Sequence, residues 1–385
     1  MDFATVVPPY VAKPLELLPF RAVMLAPARV GDPASARALA RPYREVAARL
    51  TQWIERGLAT ADTAPALYLH EYTSGGLTVR GLVGALRVSD RAHTLADRAV
   101  WPHEAIHPEQ AGDLADRMLQ MELNPAPILL VHHGRQSLRD LLAEVARTEP
   151  EWRYLDRTGQ RQRIWAIRDE DVLTTITGLL ADTGCLLADG HHRYAAYLRL
   201  QEEMRDPDAP PGTSPWDHGL AMLVDEEDAP LRVGPIHRSI AALTLSDLQD
   251  LADDHDHELT TCADRESAFA ALTSADPKIA SFVVSDGLSW AVLRVPRTNE
   301  VDAAVLHERL MPDWRIAEEQ VGYHHSLDQA LRATIRAVGL VVALRPPTVA
   351  EVRGTAARGE RMPRKSTSFG PKPRMGVVMR DLRDG

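Results

Sequence analysis

Three short stretches combine residue types and spacings that could do chemistry. The first is WPHEAIHPEQ, residues 101–110, in which His103-Glu104-x-x-His107 has the H-E-x-x-H spacing. On a continuous helix that spacing puts two imidazoles on one face to hold zinc, with the glutamate as base. The flanks here work against it. Pro102 is suited to start a helix, but Pro108 disfavours helical geometry at His107, the second ligand, and no nearby Glu or His pattern supplies a third. A zinc peptidase therefore ranks last among the readings.

The second stretch is LLADGHHRYAAYLRL, residues 186–200, where an apolar strand runs into Asp189-Gly190 and a helix starts at once. Such a junction can bind an anion. Gly190 permits close backbone approach, the N–H groups of the first helical turn point toward the junction, and the helix dipole favours negative charge there. Arg193 adds a planar fork of donors, and His191 and His192 donate or accept according to tautomer. Three cation-capable side chains at a helix N-terminus oppose the dipole unless an anion sits between them. The plainer alternative is that Asp189 caps the helix and its neighbours face water.

The third stretch is the terminal RGTAARGERMPRKSTSFGPKPRMG, residues 353–376, where Arg353, Arg358, Arg361, Arg364, Lys365, Lys372 and Arg374 face only Glu360. Pro363, Pro371 and Pro373 exclude a continuous helix. Lys365-Ser366-Thr367 has the ending of a P-loop without its glycine spacing, so it is not a Walker A sequence. It reads either as a solvated basic loop or as lysine and hydroxyls that complete a phosphate site.

These stretches need elements to position them. Periodicity predicts a hairpin across Ser74-Gly75-Gly76, a helix over GDLADRMLQMEL, a buried strand in PAPILLVHH and a helix over LRDLLAEVART. A strand QRIWAIR, a helix near EDVLTTITGLLADT, the strand GCLLAD, a helix HRYAAYLRLQEEM, an irregular loop RDPDAPPGTSPWDHG and a strand LAMLVD follow. A second set begins near residue 240: helix LSDLQDLADDH, hairpin IASFVVSDGLSWAVLRV, helices in EVDAAVLHERLM and SLDQALRATIRAVG, and strand LVVALRP. Local hairpins mixed with strand–helix units give an α+β class with mixed α/β layers.

At 385 residues, 45% hydrophobic and 25% charged, the chain is long enough for about two domains. A formal net charge of −10 argues against coating a nucleic-acid backbone, so no nucleic-acid partner is expected. The sequence contains no apolar run of about 18 residues and no leader-like start, so no membrane partner and a cytoplasmic location are expected. Cys185 and Cys262 are the only cysteines and read as packing residues rather than a disulfide or metal set.

The ordered set PFRAVMLAPARVGD, LTQWIERGL, PALYLHEY, RGLVGALRV, PHEAIHPEQAGDLADRM, PAPILLV, ADGHHRYAAYLRL, PWDHGLAMLVD, LRPPTVAEV and GERMPRKSTSFGPKPRMG resembles an uncharacterised bacterial domain-of-unknown-function family, number 1015. The likeness runs almost end to end. It departs near the start, where the family carries a P-P-Y-D-V-type motif and this chain reads ARPYREV, with Arg44 in place of the Asp and a shortened segment after it. More remotely, the order H-E, PAPILLV, D-G-H-H-R is similar to the ParB and sulfiredoxin superfamily. ParB proteins bind nucleotide through G-x-R-R, sulfiredoxins use G-C-H-R, and free serine kinases carry a D-G-H-R-like sequence. The sulfiredoxin cysteine has His191 in its place, and the helix-turn-helix expected of ParB is missing from the sequence.

The resemblance implies a ParB/sulfiredoxin-like nucleotide-binding core with an N-terminal hairpin extension over residues 1–238, a second α/β domain over 239–350, and a basic segment 351–385 returning to the phosphate site. It also implies a small-molecule kinase that transfers a phosphoryl group from ATP or ADP, with Mg2+, to the hydroxyl of a free amino acid such as serine. The upstream H-E motif corresponds to the catalytic glutamate of free serine kinases, which makes Glu104 the base, with His103 beside it. An ordinary glutamate is already a carboxylate at neutral pH. Asp189, Gly190, His191, His192 and Arg193 form the phosphate cradle, Lys365, Ser366 and Thr367 close over it, and Arg117 or Arg364 pairs the acceptor's carboxylate. A homodimer is one option for the assembly. The rival from another class is a nucleotide-binding regulatory protein without turnover.

Overall fold

The structure, a computed structural model, describes residues 6–40, 46–255, 257–273, 276 and 278–383; Arg44 lies outside them. The chain divides into two compact units, Met1–Leu231 with Ala356–Gly359 and Pro371–Gly385, and Arg232–Thr355 with Glu360–Gly370. The terminal basic stretch is thus shared between the units.

The first unit is built on a nine-stranded mixed sheet. Its hairpin pairs β1 (Leu67–Ser74) with β2 (Leu77–Arg87), and Gly75 and Gly76 turn the chain at φ of 57° and 77°. Two successive positive φ angles give the tight turn whose twist matches that of the strands, and glycine adopts them without strain. Along the chain follow β3 (Val100–Pro102), α1 (Pro108–Met121), β4 (Ile128–His132), α2 (Gln136–Arg147), β5 (Trp152–Leu155), β6 (Arg161–Ile167), α3 (Glu170–Leu180), β7 (Cys185–Asp189), α4 (His191–Glu203) and β8 (His218–Asp225). The sheet order is β3-β7-β4-β8-β2-β1-β6-β5, which puts the hairpin strands inside the sheet, with Leu17–Leu18 pairing on β2. Every residue of β4 and β8 is buried. Such uninterrupted apolar runs belong to strands covered on both faces. Ile128 and Leu130 of β4, Leu187 of β7, Ala115 and Met118 of α1 and Leu198 of α4 belong to one core cluster.

Two helix starts explain themselves from the sequence. Pro108 is the first residue of α1 and leaves His107 extended, at φ −86° and ψ 118°. Proline at that position loses a hydrogen bond the helix would not have made. The expectation that Pro102 starts a helix is corrected: it ends β3, and both histidines of H-E-x-x-H precede the helix. The capping of α4 is also corrected. Its N-cap is Gly190, at φ 93°, and not Asp189.

The second unit carries a six-stranded antiparallel sheet: β9 (His237–Ala241), β10 (Glu258–Cys262), β11 (Ile279–Ser285), β12 (Trp290–Pro296), β13 (Val321–His324) and β14 (Gly339–Leu344), in the order β10-β12-β11-β14-β9-β13. Helices α5 (Leu245–Asp254), α6 (Arg265–Thr273) and α7 (Leu327–Ala337) alternate with the strands, and Ala268 and Leu272 of α6 join Ala330 of α7 over Val283, Val292 and Val341. The EVDAAVLHERLM helix forms with a π-type middle, Val305–Leu310. One further helix, α8 (Val349–Ala357), runs into the stretch read as a basic loop. No helix among the described residues is long and apolar enough to cross a membrane.

Candidate functional site

Sheet pairing assembles the site. β3 and β7 are parallel neighbours, with Val100 beside Cys185, Trp101 beside Leu186 and Pro102 beside Leu187. The residues leaving their C-terminal ends, His103-Glu104 and Asp189-Gly190, therefore emerge together. The pairing of β7 with β4 shifts register between Leu187 and Asp189, an irregularity of the kind that re-aims a side chain.

Asp189 is held from two sides. The Arg193 Nη2 donates to its Oδ2 at 2.8 Å, and the Lys372 ammonium donates to its Oδ1. Arg193 Nη1 donates to the carbonyls of Ala126, at 3.0 Å, and Pro127, at 2.6 Å, so the guanidinium also ties α4 to the approach to β4. A Cβ on Gly190 would stand 3.0 Å from Ile128 Cγ2 and 3.0 Å from an Arg193 guanidinium nitrogen. The left-handed turn and this close packing both require glycine.

The histidines form two pairs that join the motifs. The backbone N–H of His103 donates to His191 Nε2 at 3.4 Å, and the two rings meet edge to face with centroids 4.6 Å apart. The N–H of His107 donates to His192 Nε2 at 3.2 Å, with the rings stacked at 6.2 Å. An accepting Nε2 puts the proton of a neutral imidazole on Nδ1. Burial holds His103 down to about 4, and burial together with the neighbouring His103, His192 and Lys372 holds His191 well below the usual imidazole range. His191 is therefore neutral at pH 7, which corrects the picture of three cationic side chains at the helix start.

Glu104 lies in a bend after β3, its side chain 22% exposed and its Oε1 3.9 Å from His103 Nε2. It is reachable by a small molecule, and it is not the first acid of a helix. Because His103 and His107 each engage a different histidine of α4, the H-E-x-x-H spacing makes no clamp. Among the described residues no three His, Cys, Asp or Glu side chains converge as a metal set.

Lys372 was one of seven tail cations in the sequence and nothing singled it out there. It reaches Asp189 because its segment is fastened on both sides. Tyr72 Oη donates to the Pro371 carbonyl at 2.8 Å, and Arg374 Nε donates to Gln160 Oε1 at 2.6 Å with Asp156 Oδ2 at 3.3 Å. Pro371 and Pro373 bracket the lysine and stiffen its backbone. That bracket was the available signal.

The remaining expected residues have the following partners. Arg117, on α1, donates through Nε to the Asp113 carbonyl at 2.9 Å. Arg364, Lys365, Ser366 and Thr367 belong to the second unit. There the Arg364 carbonyl accepts from Arg238 at 3.5 Å, Lys365 sits at φ 53° with Nζ 5.1 Å from the Tyr323 ring centroid, and Ser366 Oγ donates to the Pro363 carbonyl at 2.5 Å. Thr367 precedes a short strand, Ser368–Gly370, that pairs with Arg232–Gly234.

The buried histidines predict an acid-sensitive fold. His103 has a folded value near 4 against 6.5 when unfolded, so the unfolded chain binds more protons between those values. The stability it contributes is complete above about 6.5 and is lost as pH falls toward 4. Thermal melts should show Tm falling over that window, with a shallower slope in His103→Gln; an unchanged slope would remove His103 from this role.

A family model described as "Protein of unknown function (DUF1015)" matches residues 17–312. No curated protein matches the chain. Similar solved structures include a free serine kinase mutant in complex with AMP, 16% identical, covering 79% of this chain and 93% of that one, with a TM-score of 0.41. Others are a conserved hypothetical protein from Pyrococcus furiosus, 18% identical over 74% and 93% with a TM-score of 0.37, and C-terminally truncated SbnI from Staphylococcus aureus, 11% identical over 74% and 85% with a TM-score of 0.39.

Proposed function

Given that the chain belongs to the family described as "Protein of unknown function (DUF1015)", we propose that the junction of β3, β7 and α4 is a phosphoryl-transfer site. It takes the phosphoryl group from ATP or ADP and gives it to the hydroxyl of a free amino acid such as serine. The observation that carries the reading is the parallel pairing of β3 with β7, with the His103 N–H on His191, which joins the H-E motif to D-G-H-H-R. The order of H-E, PAPILLV and D-G-H-H-R along the chain supports a ParB/sulfiredoxin-like reading of the same core.

Phosphoryl transfer asks little covalent help of a protein. It asks for positioning, neutralisation of charge and an oriented acceptor. In this reading the N–H groups of the first turn of α4 receive phosphate oxygens, and Gly190 lets them approach. Lys372 exchanges its carboxylate partner for phosphate. Glu104 accepts the hydroxyl proton as the oxygen attacks the phosphorus, and the leaving nucleotide keeps the electron pair of the broken P–O bond. His103 fixes the bend that presents Glu104. A magnesium ion, bound mainly through nucleotide oxygens and water, would find an oxygen on Asp189 and would supply charge neutralisation. Arg117 and Arg364 stand as candidates for the acceptor's carboxylate, and Lys365, Ser366 and Thr367 as further phosphate contacts; single alanine variants in the assay below sort them.

The direct test is incubation with Mg2+, ATP or ADP, and serine, followed by detection of phosphoserine and the shortened nucleotide. Nucleotide binding with no product across a panel of hydroxy amino acids would replace the kinase with the non-catalytic nucleotide-binding reading. Lys372→Met should weaken nucleotide binding about tenfold, or about 1.4 kcal/mol, as loss of one charge-assisted contact. Calorimetric titration checks it, and unchanged affinity would return Lys372 to a purely structural ion pair.

A further inference from the structure

The second unit holds a cavity of about 580 Å³ at one end of its sheet, where β14 ends, β9 begins and the last residues of α6 lie. That volume is in the range of small-molecule sites, about 300 to 1,000 Å³. Phe269, Leu272 and Leu344 supply an apolar wall. Opposite in character are His237 and Arg345, which line the same space.

Two of the acids here are paired with arginines. Asp302 is flanked by Arg297 Nη1 and Arg345 Nε, each at 2.8 Å. Glu351 accepts from Arg345 Nη2 at 2.8 Å and from the Thr348 N–H and hydroxyl at 2.8 and 3.1 Å. Asp276, also on the lining, accepts from the Lys278 N–H at 2.7 Å. His237 is only 6% exposed, and its Nδ1 accepts the Leu344 N–H at 3.3 Å. The proton of the neutral ring therefore sits on Nε2, which makes no hydrogen bond among the described residues. On the cavity wall it is a donor available to an acceptor that enters the space. Arg345, its side chain 26% exposed, directs Nε to Asp302 and one N–H of each terminal nitrogen to Glu351, which leaves two of its five N–H groups for an acceptor.

We propose that this cavity binds a small organic carboxylate with an apolar body. The carboxylate accepts from His237 Nε2 and Arg345, and the apolar body packs on Phe269, Leu272 and Leu344. The site lies wholly within the second unit and does not depend on the kinase reading.

The test uses the full-length protein and a matched pair of probes, 3-phenylpropanoate and its neutral isostere 3-phenylpropanamide. Calorimetry and thermal shift should show saturable binding of the acid, with the amide at least tenfold weaker. Arg345→Met should reduce acid binding at least tenfold. Because Arg345 also supports Asp302 and Glu351, Thr273→Trp provides a second variant: it fills the cavity from an exposed helix end and should abolish binding while the protein stays folded. Equal binding of acid and amide, no saturation by about 10 mM acid, or full binding in Thr273→Trp would each overturn the proposal.

Discussion

Glu104→Gln is expected to lower phosphoryl transfer by about 10²- to 10⁴-fold while nucleotide affinity stays within about twofold. The amide keeps the volume of the side chain and loses the ability to take a proton. Other groups hold α4 and Asp189: His103 and His107 engage α4 through their backbone N–H groups, and Asp189 is held by Arg193 and Lys372. Single-turnover measurement of phosphoserine, paired with nucleotide titration, separates the outcomes. Undiminished transfer would remove Glu104 from the role of base. Loss of nucleotide binding together with transfer would make it a binding group instead.

The second large effect is expected from Gly190→Ala. At φ 93° a residue with a Cβ costs about 1–2 kcal/mol, and this Cβ also meets Ile128 and the Arg193 guanidinium at 3.0 Å. Ile128 is buried and backed by the core, so it cannot yield freely. We expect a loss of stability of about 2–3 kcal/mol by denaturant titration, with nucleotide affinity reduced more than tenfold, because the first turn of α4 is displaced. Gly178→Ala is the control. That glycine lies inside α3 with nothing within 4 Å of the added Cβ, and alanine there should stabilise by about 0.5–1 kcal/mol. A neutral Gly190→Ala would show that the turn before α4 is not strained against side chains.

Much of the frame was legible because it is local. Gly75-Gly76 marks a hairpin on its own, the apolar runs of β4 and β8 declare buried strands, and Pro108 announces the start of α1. Pro102 misled because a fixed φ suits a strand as well as a first helical turn. What decides between them is pairing with β7, some 85 residues away in the sequence. α8 escaped notice because VAEVRGTAA has little apolar periodicity to mark a helix. In the site, D-G-H-H-R was conspicuous by composition. The neutrality of His191 was not, since it follows from burial that only the folded chain creates. Lys372 meets Asp189 across 183 residues, and the nearby Lys-Ser-Thr spelling drew attention to Lys365 instead.

The strand Met379–Asp381 pairs with Ala22–Leu25 on one side and with Leu123–Asn124 on the other. Its Arg380 is buried and donates to the carbonyls of His218 and Pro215 at 3.0 Å each. During synthesis these residues leave the ribosome after all of the second unit's residues, so the small sheet of the first unit stays open until translation has passed them. The nascent chain carries an unpaired edge at Ala22–Leu25 for that whole interval, the kind of exposed edge that invites pairing with other chains. A stop codon between Gly370 and Met379 would make that transient exposure permanent.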